Sequence, residues 1–401
     1  MNTATLDQFR SAMNAELEDL LSWWANYTVD QENGGFYGQI DNQNQANAEA
    51  PKGLVLNARI LYTFSSAFLL QKKASYLELA HRAFDYLTQH FADTAYGGFY
   101  WSVDAKGQLL DGRKQIYGQA FAIYALAEYY KATANPKALN LAKATFRLIE
   151  LYSFDADQLG YFEAFTREWA NIADQRLSAK DQNEKKTMNT HLHVIEAYTN
   201  LYGIWPNEIL KKAIKQLLQN FSEHIIHPQH FHLQLFFDNN WQVKSTLVSF
   251  GHDIEASWLL EEAAHALKND TSIVHYRQLA LQMANASLKG LDENGALWYE
   301  YDTANGHWIK ELHWWPQAEA MVGFFNAWQI SGQEHFLRHT LQVWDFVKKH
   351  LKDPENGEWF WGLHQDYSPM LGEDKAGFWK CPYHNGRACM ELLKRIDSLR
   401  D

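Results

Sequence analysis

The chain has 401 residues, 46% of them apolar, and a formal net charge of -12 at pH 7. That apolar share supports a packed core and excludes a disordered chain, and the surplus of carboxylates excludes nucleic acid as the main partner. Cys381 and Cys389 are the only cysteines, so neither a disulfide framework nor a zinc ribbon is indicated, and a reducing, cytoplasmic setting is expected. The first residues lack the basic and apolar regions of a signal peptide, and no uninterrupted apolar run reaches the length of a bilayer span, so no membrane partner is expected. Aromatic residues make up 15% of the chain, with 16 Trp, 20 Tyr and 23 Phe. Aromatic faces suit the C–H patches of sugar rings, but they also fill large helical cores, so composition leaves both readings open.

In chain order, a helix is expected over 5–24, followed by a short signature of glycine, aromatics and a polar residue: Gly34-Gly35-Phe36-Tyr37. The signature recurs as Gly97-Gly98-Phe99-Tyr100, Gly160-Tyr161-Phe162, Gly295-Ala296-Leu297-Trp298 and Gly357-Glu358-Trp359-Phe360. The 231–238 stretch keeps the alternation without a glycine and fills the fourth place. Six units of roughly 63 residues therefore account for nearly the whole chain. Between signatures the pattern is helical and paired: 54–70 with 75–90, 117–131 with 136–151, 187–202 with 207–224, 252–267 with 272–288, and 313–330 with 334–350. A final helix over 384–399 is left to pair with the first. Twelve helices in six hairpins predict one domain over 1–401, an all-α (α/α)6 barrel with short β-hairpins at one rim. The segments 166–186 and 366–380 have no period and are expected to be long rim loops.

Each signature leads into the start of an inner helix. These starts offer Asn57 and Arg59, Tyr117 and Gln119, Asn189, His191 and His193, His252, Asp253 and Glu255, His313, Trp314, Trp315 and Gln317, and finally Trp379, Tyr383, His384, Asn385 and Arg387. Polar side chains recurring in otherwise apolar helices point to a shared concave site at one end of the barrel. His193, His252 and His384 come from three units and form a candidate metal set, but none has tight ligand spacing, so no metal is expected. The cluster His227, His230 and His232 sits at a helix-to-strand junction and reads as solvated or structural. Asp253 and Glu255 are two apart and diverge on a helix, which argues against paired-carboxylate glycoside hydrolysis. No glycine-rich phosphate loop is present.

The chain resembles the N-acylglucosamine 2-epimerase superfamily, and within it the cellobiose 2-epimerase branch. The resemblance rests on the stretches 57–65, 188–200, Gly251-His252-Asp253-Ile254-Glu255, His313-Trp314-Trp315-Pro316-Gln317-Ala318-Glu319 and 379–389. It implies an (α/α)6 barrel and an isomerase that works on sugars without metal or nicotinamide. It implies His252 and His384 as the acid/base pair, His193 and Arg59 as further catalytic groups, and Asn189, Glu255 and Tyr117 as substrate contacts. Trp379 and one of Trp314 or Trp315 would stack on the sugar. A neutral imidazole is a suitable base near neutral pH. Ring opening followed by removal of the C2 proton gives an enediolate, for which Arg59 and His193 are the expected stabilisers; protonation from the other face completes a glucose–mannose epimerisation. Glu255 is expected to orient His252 or to bind a sugar hydroxyl. The substrate is either a free monosaccharide or the reducing unit of a β-1,4 disaccharide, and Trp308, Phe378 and Trp379 are candidates either for a second sugar subsite or for closing the site around one sugar. Alternatives are an aldose–ketose isomerase of the same fold and a non-catalytic carbohydrate-binding barrel. The state of assembly is a monomer or a homodimer.

Overall fold

A computed structural model describes residues 3–400; Met1, Asn2 and Asp401, part of the expected 1–401 unit, lie outside the described residues. The twelve helices are α1 (Thr3–Tyr27), α2 (Leu54–Gln71), α3 (Ala74–Tyr86), α4 (Ile116–Thr133), α5 (Pro136–Tyr152), α6 (Met188–Tyr202), α7 (Glu208–Asn220), α8 (Phe250–Ala266), α9 (Asp270–Ser287), α10 (Trp314–Ser331), α11 (Glu334–Phe346) and α12 (Tyr383–Asp397). The even-numbered helices pack in sequence around a ring. It closes because α12 touches both α10 and α2, and α1 lies along α12 as the sixth outer helix. The expected pairing of the first and last helices is therefore observed.

Composition explains which helices go inside. Helix α2 is buried from Leu54 through Ala67, with apolar residues all round it, as a helix enclosed on every side must be. It is long and apolar enough by composition to cross a membrane, with a mean hydropathy of 1.2 over 18 residues, but its surroundings are the barrel core. The outer helices α5 and α7 bury one stripe only, and each is capped by an asparagine. Asn135 accepts from the Lys137 amide and is followed by Pro136, a residue suited to a first helical turn. Helices α3, α7 and α11 each run into a wider π-helical turn, at Leu87–Phe91, Phe221–Ile225 and Val347–Leu351.

The six signatures are six tight hairpins. Each is closed by an antiparallel bridge: Val29 with Phe36, Ala92 with Phe99, Phe154 with Tyr161, Ile226 with Leu233, Leu291 with Leu297, and Lys352 with Trp359. A left-handed residue lies two before the closing bridge in all six: Gly34, Gly97, Leu159, Phe231, Gly295 and Gly357, with φ between 59° and 86°. Glycine adopts that conformation freely, and the fourth hairpin obtains it from Phe231, which is why the turn persists there without the motif. An aspartate caps the turn in five units, Asp30 accepting from the Glu32 and Asn33 amides being the first. His227 Nδ1 takes that part in the fourth. The histidine cluster is thus a turn element, as expected. Buried lysines complete four units by pairing with the aspartate: Lys52–Asp30, Lys114–Asp93, Lys186–Asp155 and Lys375–Asp353.

Inner helices hold these hairpins from below. Gln119 accepts from the Phe99 amide and donates to its carbonyl, and Gln317 does the same for Leu297. His191 Nε2 accepts from the Tyr161 amide at 2.9 Å while Nδ1 donates to the Thr187 carbonyl at 2.6 Å. Asp253 accepts from the Leu233 amide and from His232. All four stand three residues into their helices. Recurring polar residues therefore serve the rim as well as a concave site: four of them are clamps, and Asp253 is one.

Burial lowers the His191 pKa to about 4, so the clamp is a neutral imidazole whose acceptor nitrogen a proton would destroy. A histidine with a depressed folded pKa contributes stability that is full above its unfolded value and lost as pH falls through the window from 6.5 to 4. His191→Gln copies Gln119 and Gln317 and does not titrate. The wild type should therefore lose about 2 kcal/mol more than the variant between pH 7 and pH 5. Urea melts at the two pH values check this, and equal losses would remove His191 from the account.

Candidate active site

Two residues beyond the clamps, the inner helices send different side chains toward the barrel axis: Arg59 from α2, His193 from α6, Glu255 from α8 and Glu319 from α10. Arg387 of α12 gathers them. Its guanidinium donates to Glu255 at 2.8 Å, to Glu319 at 2.6 Å, and also to Glu196 of α6. All four groups are buried. Three carboxylates on one guanidinium are not electrically equal. Burial alone would raise Glu196, but Arg387 and the His193 hydrogen bond outweigh it and bring it down to about 2. Burial raises Glu319 and, together with the Glu319 charge, pushes Glu255 well up. Glu196 is thus the most acidic of the three, while burial pushes Glu255 and Glu319 the other way.

Two of these carboxylates fix histidines. Glu319 accepts from His384 Nδ1 at 2.7 Å, and Glu196 accepts from His193 Nδ1 at 2.8 Å, so each imidazole presents Nε2 away from its carboxylate. His252 Nδ1 is held by Ser249 Oγ at 2.7 Å. The Trp315 indole stands beside both members of the expected pair, 4.6 Å from the His252 ring and 5.6 Å from that of His384. All three imidazoles are biased toward the neutral form. Burial, then the nearby His193, lowers His252 to about 3; burial, Arg59 and Arg387 take His384 well below its ordinary value; burial lowers His193 despite Glu196.

On the opposite wall, Arg59 donates to the Tyr117 hydroxyl at 2.8 Å and to the Trp379 carbonyl at 3.3 Å, and its guanidinium lies over Phe121 and Tyr383. Trp379 is half-buried between Tyr117 and Trp101. Arg59 Nε and Asn189 Oδ1 are buried polar atoms with no protein partner, and a substrate hydroxyl would satisfy each.

The structure thus brings together His193, His252, His384, Arg59, Glu255, Tyr117, Trp315 and Trp379, while Asn189 is half-buried at the start of α6. Two sequence expectations need correction, and one choice that the sequence left open is made. Glu255 does not orient His252; Ser249 does, and Glu255 is committed to Arg387. Trp314 is buried against Trp361 beneath Lys380, so Trp315 is the tryptophan that faces the site. Trp308 stacks on Phe250 and packs against Trp298 and Tyr301, not against Trp315, Trp379 or the three histidines. Glu196, Glu319 and Ser249 went unassigned. The sequence signal for the first was the i, i+3 spacing of His193 and Glu196, and for the first two together it was their place as acids in inner helices that are otherwise apolar.

Donor atoms of Glu255, Glu319 and His384 lie within 4.8 Å of one another, the one metal-like group among the described residues. Arg387 already donates to both carboxylates and supplies the cation there. The expected candidate set His193, His252 and His384 does not form such a group; each Nδ1 is engaged by its own partner.

The N-acylglucosamine 2-epimerase family model matches residues 35–388. The chain belongs to this family. It is 50% identical to a cellobiose 2-epimerase of Bacteroides fragilis over 374 residues, which covers 93% of this chain and 95% of that one. The solved cellobiose 2-epimerase of Bacillus thermoamylovorans superposes with a TM-score of 0.93 at 41% identity, covering 97% of this chain and all of the other. A D-mannose isomerase structure shares the fold, with a TM-score of 0.85 at 22% identity over 96% of this chain and 97% of that one. The family member described here is an isomerase, a sugar 2-epimerase.

Gly251 lets Trp315 into place. A Cβ there would stand 2.6 Å from the far edge of the indole and 3.0 Å from Pro316. Gly251→Ala should therefore swing Trp315 off the two imidazoles and lower kcat/KM by about tenfold to a hundredfold, with the helical circular dichroism unchanged. Activity at the wild-type level would show that the indole position is irrelevant.

Proposed function

We propose that the enzyme epimerises an aldose at C2, interconverting gluco and manno configurations, and that its substrate is the reducing-end sugar of a β-1,4 disaccharide such as cellobiose. The observation that carries the reaction is the pair of imidazoles, His252 and His384, set against one indole and both held neutral. The names of the relatives at 41% and 50% identity support the disaccharide.

Each step has a group suited to it. Ring opening breaks the bond between C1 and the ring oxygen and moves the C1 hydroxyl proton to that oxygen, with His193 taking the proton and giving it back. Glu196 fixes the proton of neutral His193 on Nδ1, leaving Nε2 as an acceptor for that hydroxyl. On this reading His193 acts as a base at ring opening, where the sequence suggested a donor to the enediolate. The open aldehyde acidifies C2–H, and one of His252 and His384 removes the proton. Arg59 is the fixed cation for the enediolate oxygen. The other histidine, having taken up a proton from water once the sugar is bound, delivers it to the opposite face of C2 as the enediolate reverts to the aldehyde, and the first histidine returns its proton to water. Reversing the direction exchanges the two roles. Trp315 and Trp379 supply apolar faces for the sugar.

Incubation with cellobiose, mannobiose, glucose and mannose separately, followed by chromatography, tests the substrate. The expected products are the C2 epimers of the disaccharides, and a ketose as the sole product would replace this reading with aldose–ketose isomerisation. In heavy water the epimer should carry deuterium at C2; turnover without it sinks the enediolate. His252→Ala and His384→Ala should each lower kcat by at least about a hundredfold while remaining folded.

The acid limb of the pH profile follows from the same geometry. The base works unprotonated, and its pKa lies below 6.5. Loss of kcat/KM on acidification should accordingly begin below pH 6.5, and a limb centred above 7 would contradict the buried imidazoles.

A further inference from the structure

The fourth unit departs from its neighbours at one place. Units one, two, three and six bury an aspartate–lysine pair behind the rim hairpin, and unit five keeps Asp292, which takes a 2.7 Å hydrogen bond from the Tyr367 hydroxyl. Unit four has His227 where the aspartate stands and Val248 where the first three units place their lysine. His227 retains the local duty, accepting from the Gln229 and His230 amides. The ion pair itself is gone, and a cavity of about 530 Å³ opens there, lined by both replacements.

The chemistry of the walls is specific. Val248, Phe250, Leu233, Tyr301 and Trp308 make them largely apolar and aromatic. No aspartate or glutamate lines the cavity, although the chain carries 48 of them against 36 lysines and arginines. The ionisable side chains are His227, His230, His232, Tyr301 and Lys289. Of these, His232 is committed to Asp253. Lys289 is exposed at the edge, and no carboxylate among the described residues pairs with it. A cation does not fit the place vacated by lysine, because its aspartate has been replaced as well. An apolar body carrying one negative charge does fit.

The cavity also backs onto the active site. Strand Leu247–Ser249 and the first residue of α8 separate the two. Val248 and Phe250 face the cavity, and Ser249 between them turns the other way to hold His252 Nδ1. We propose that this cavity is a binding site for a small aryl or alkyl carboxylate, and that its occupancy is transmitted to His252 through Ser249. The binding half stands apart from the reaction; the transmission half rests on the part proposed above for His252.

The probe is 4-phenylbutyrate, titrated calorimetrically with and without cellobiose, beside the neutral 4-phenylbutanol. Phenylbutyrate should bind in both conditions, and the alcohol should bind about tenfold more weakly because it lacks the charge Lys289 meets. Lys289→Glu, on the surface, should weaken phenylbutyrate about tenfold, and Val248→Trp should fill the cavity and abolish binding. Absence of binding, equal binding of the alcohol, displacement by cellobiose, or unchanged affinity in Lys289→Glu would each overturn the site. Transmission is read from kcat: phenylbutyrate should change it at least twofold in the wild type, and Lys289→Glu should keep the basal rate and lose the response at the same probe concentration. Saturation of the site with no change in kcat would overturn the transmission alone, and calorimetry reports binding even if the proposed epimerisation fails.

Discussion

One buried guanidinium organises the reaction chamber. Arg387 joins carboxylates from α6, α8 and α10, and two of those carboxylates position the imidazoles of His193 and His384. Buried charges of one sign repel strongly at low dielectric, so the three acids would not stay together without it. Removing Arg387 would take away more than a contact. It would leave uncompensated acids, and the nearest relief is protonation, which would end the hydrogen-bond geometry that sets the tautomers of the two histidines. The reactive groups sit on four different helices, and two of them, His193 and His384, are oriented by carboxylates that this single cation holds.

Burial, more than any single charge, sets the state of the bases. A histidine beside a carboxylate would ordinarily gain proton affinity. Here burial opposes the proton, and at His384 Arg59 and Arg387 act in the same direction. His252 has no carboxylate bonded to it; its one fixed partner is a serine hydroxyl, which can donate or accept. The two members of the pair therefore have different supports, one anionic and one neutral. Such a difference suits bases that must exchange roles when the reaction runs backward, since neither is locked as a permanent cation.

The ring itself was legible in the sequence. The glycine–aromatic signature repeats at a fixed interval, and the leftover helix at each end demanded closure, which α1 and α12 provide. The residues at the inner-helix starts were legible as a set but not as individuals. Gln119, His191, Asp253 and Gln317 stand two residues before the places held by Phe121, His193, Glu255 and Glu319. Two residues turn a side chain through most of half a helical circumference, so one group clamps the rim while the other meets at the axis. Sequence gives the period and not the absolute rotation of each helix in the ring. The support of His252 was hidden for a similar reason. Glu255, three residues on, looked like its partner, but the hydroxyl that holds it comes from Ser249, which ends the strand before the helix.

The closing of the ring also carries a consequence for timing. Of the twelve helices, α12 leaves the ribosome after the other eleven, and it brings both Arg387 and His384. Without it, α10 and α2 would have no helix between them, and Glu196, Glu255 and Glu319 would lack the guanidinium they share. Insertion of α12 is then a single event that completes the wall, neutralises the acids and installs the second base. A nascent chain can hold most of its hairpins and still have no chemistry, so catalytic competence marks the completion of assembly and not its progress.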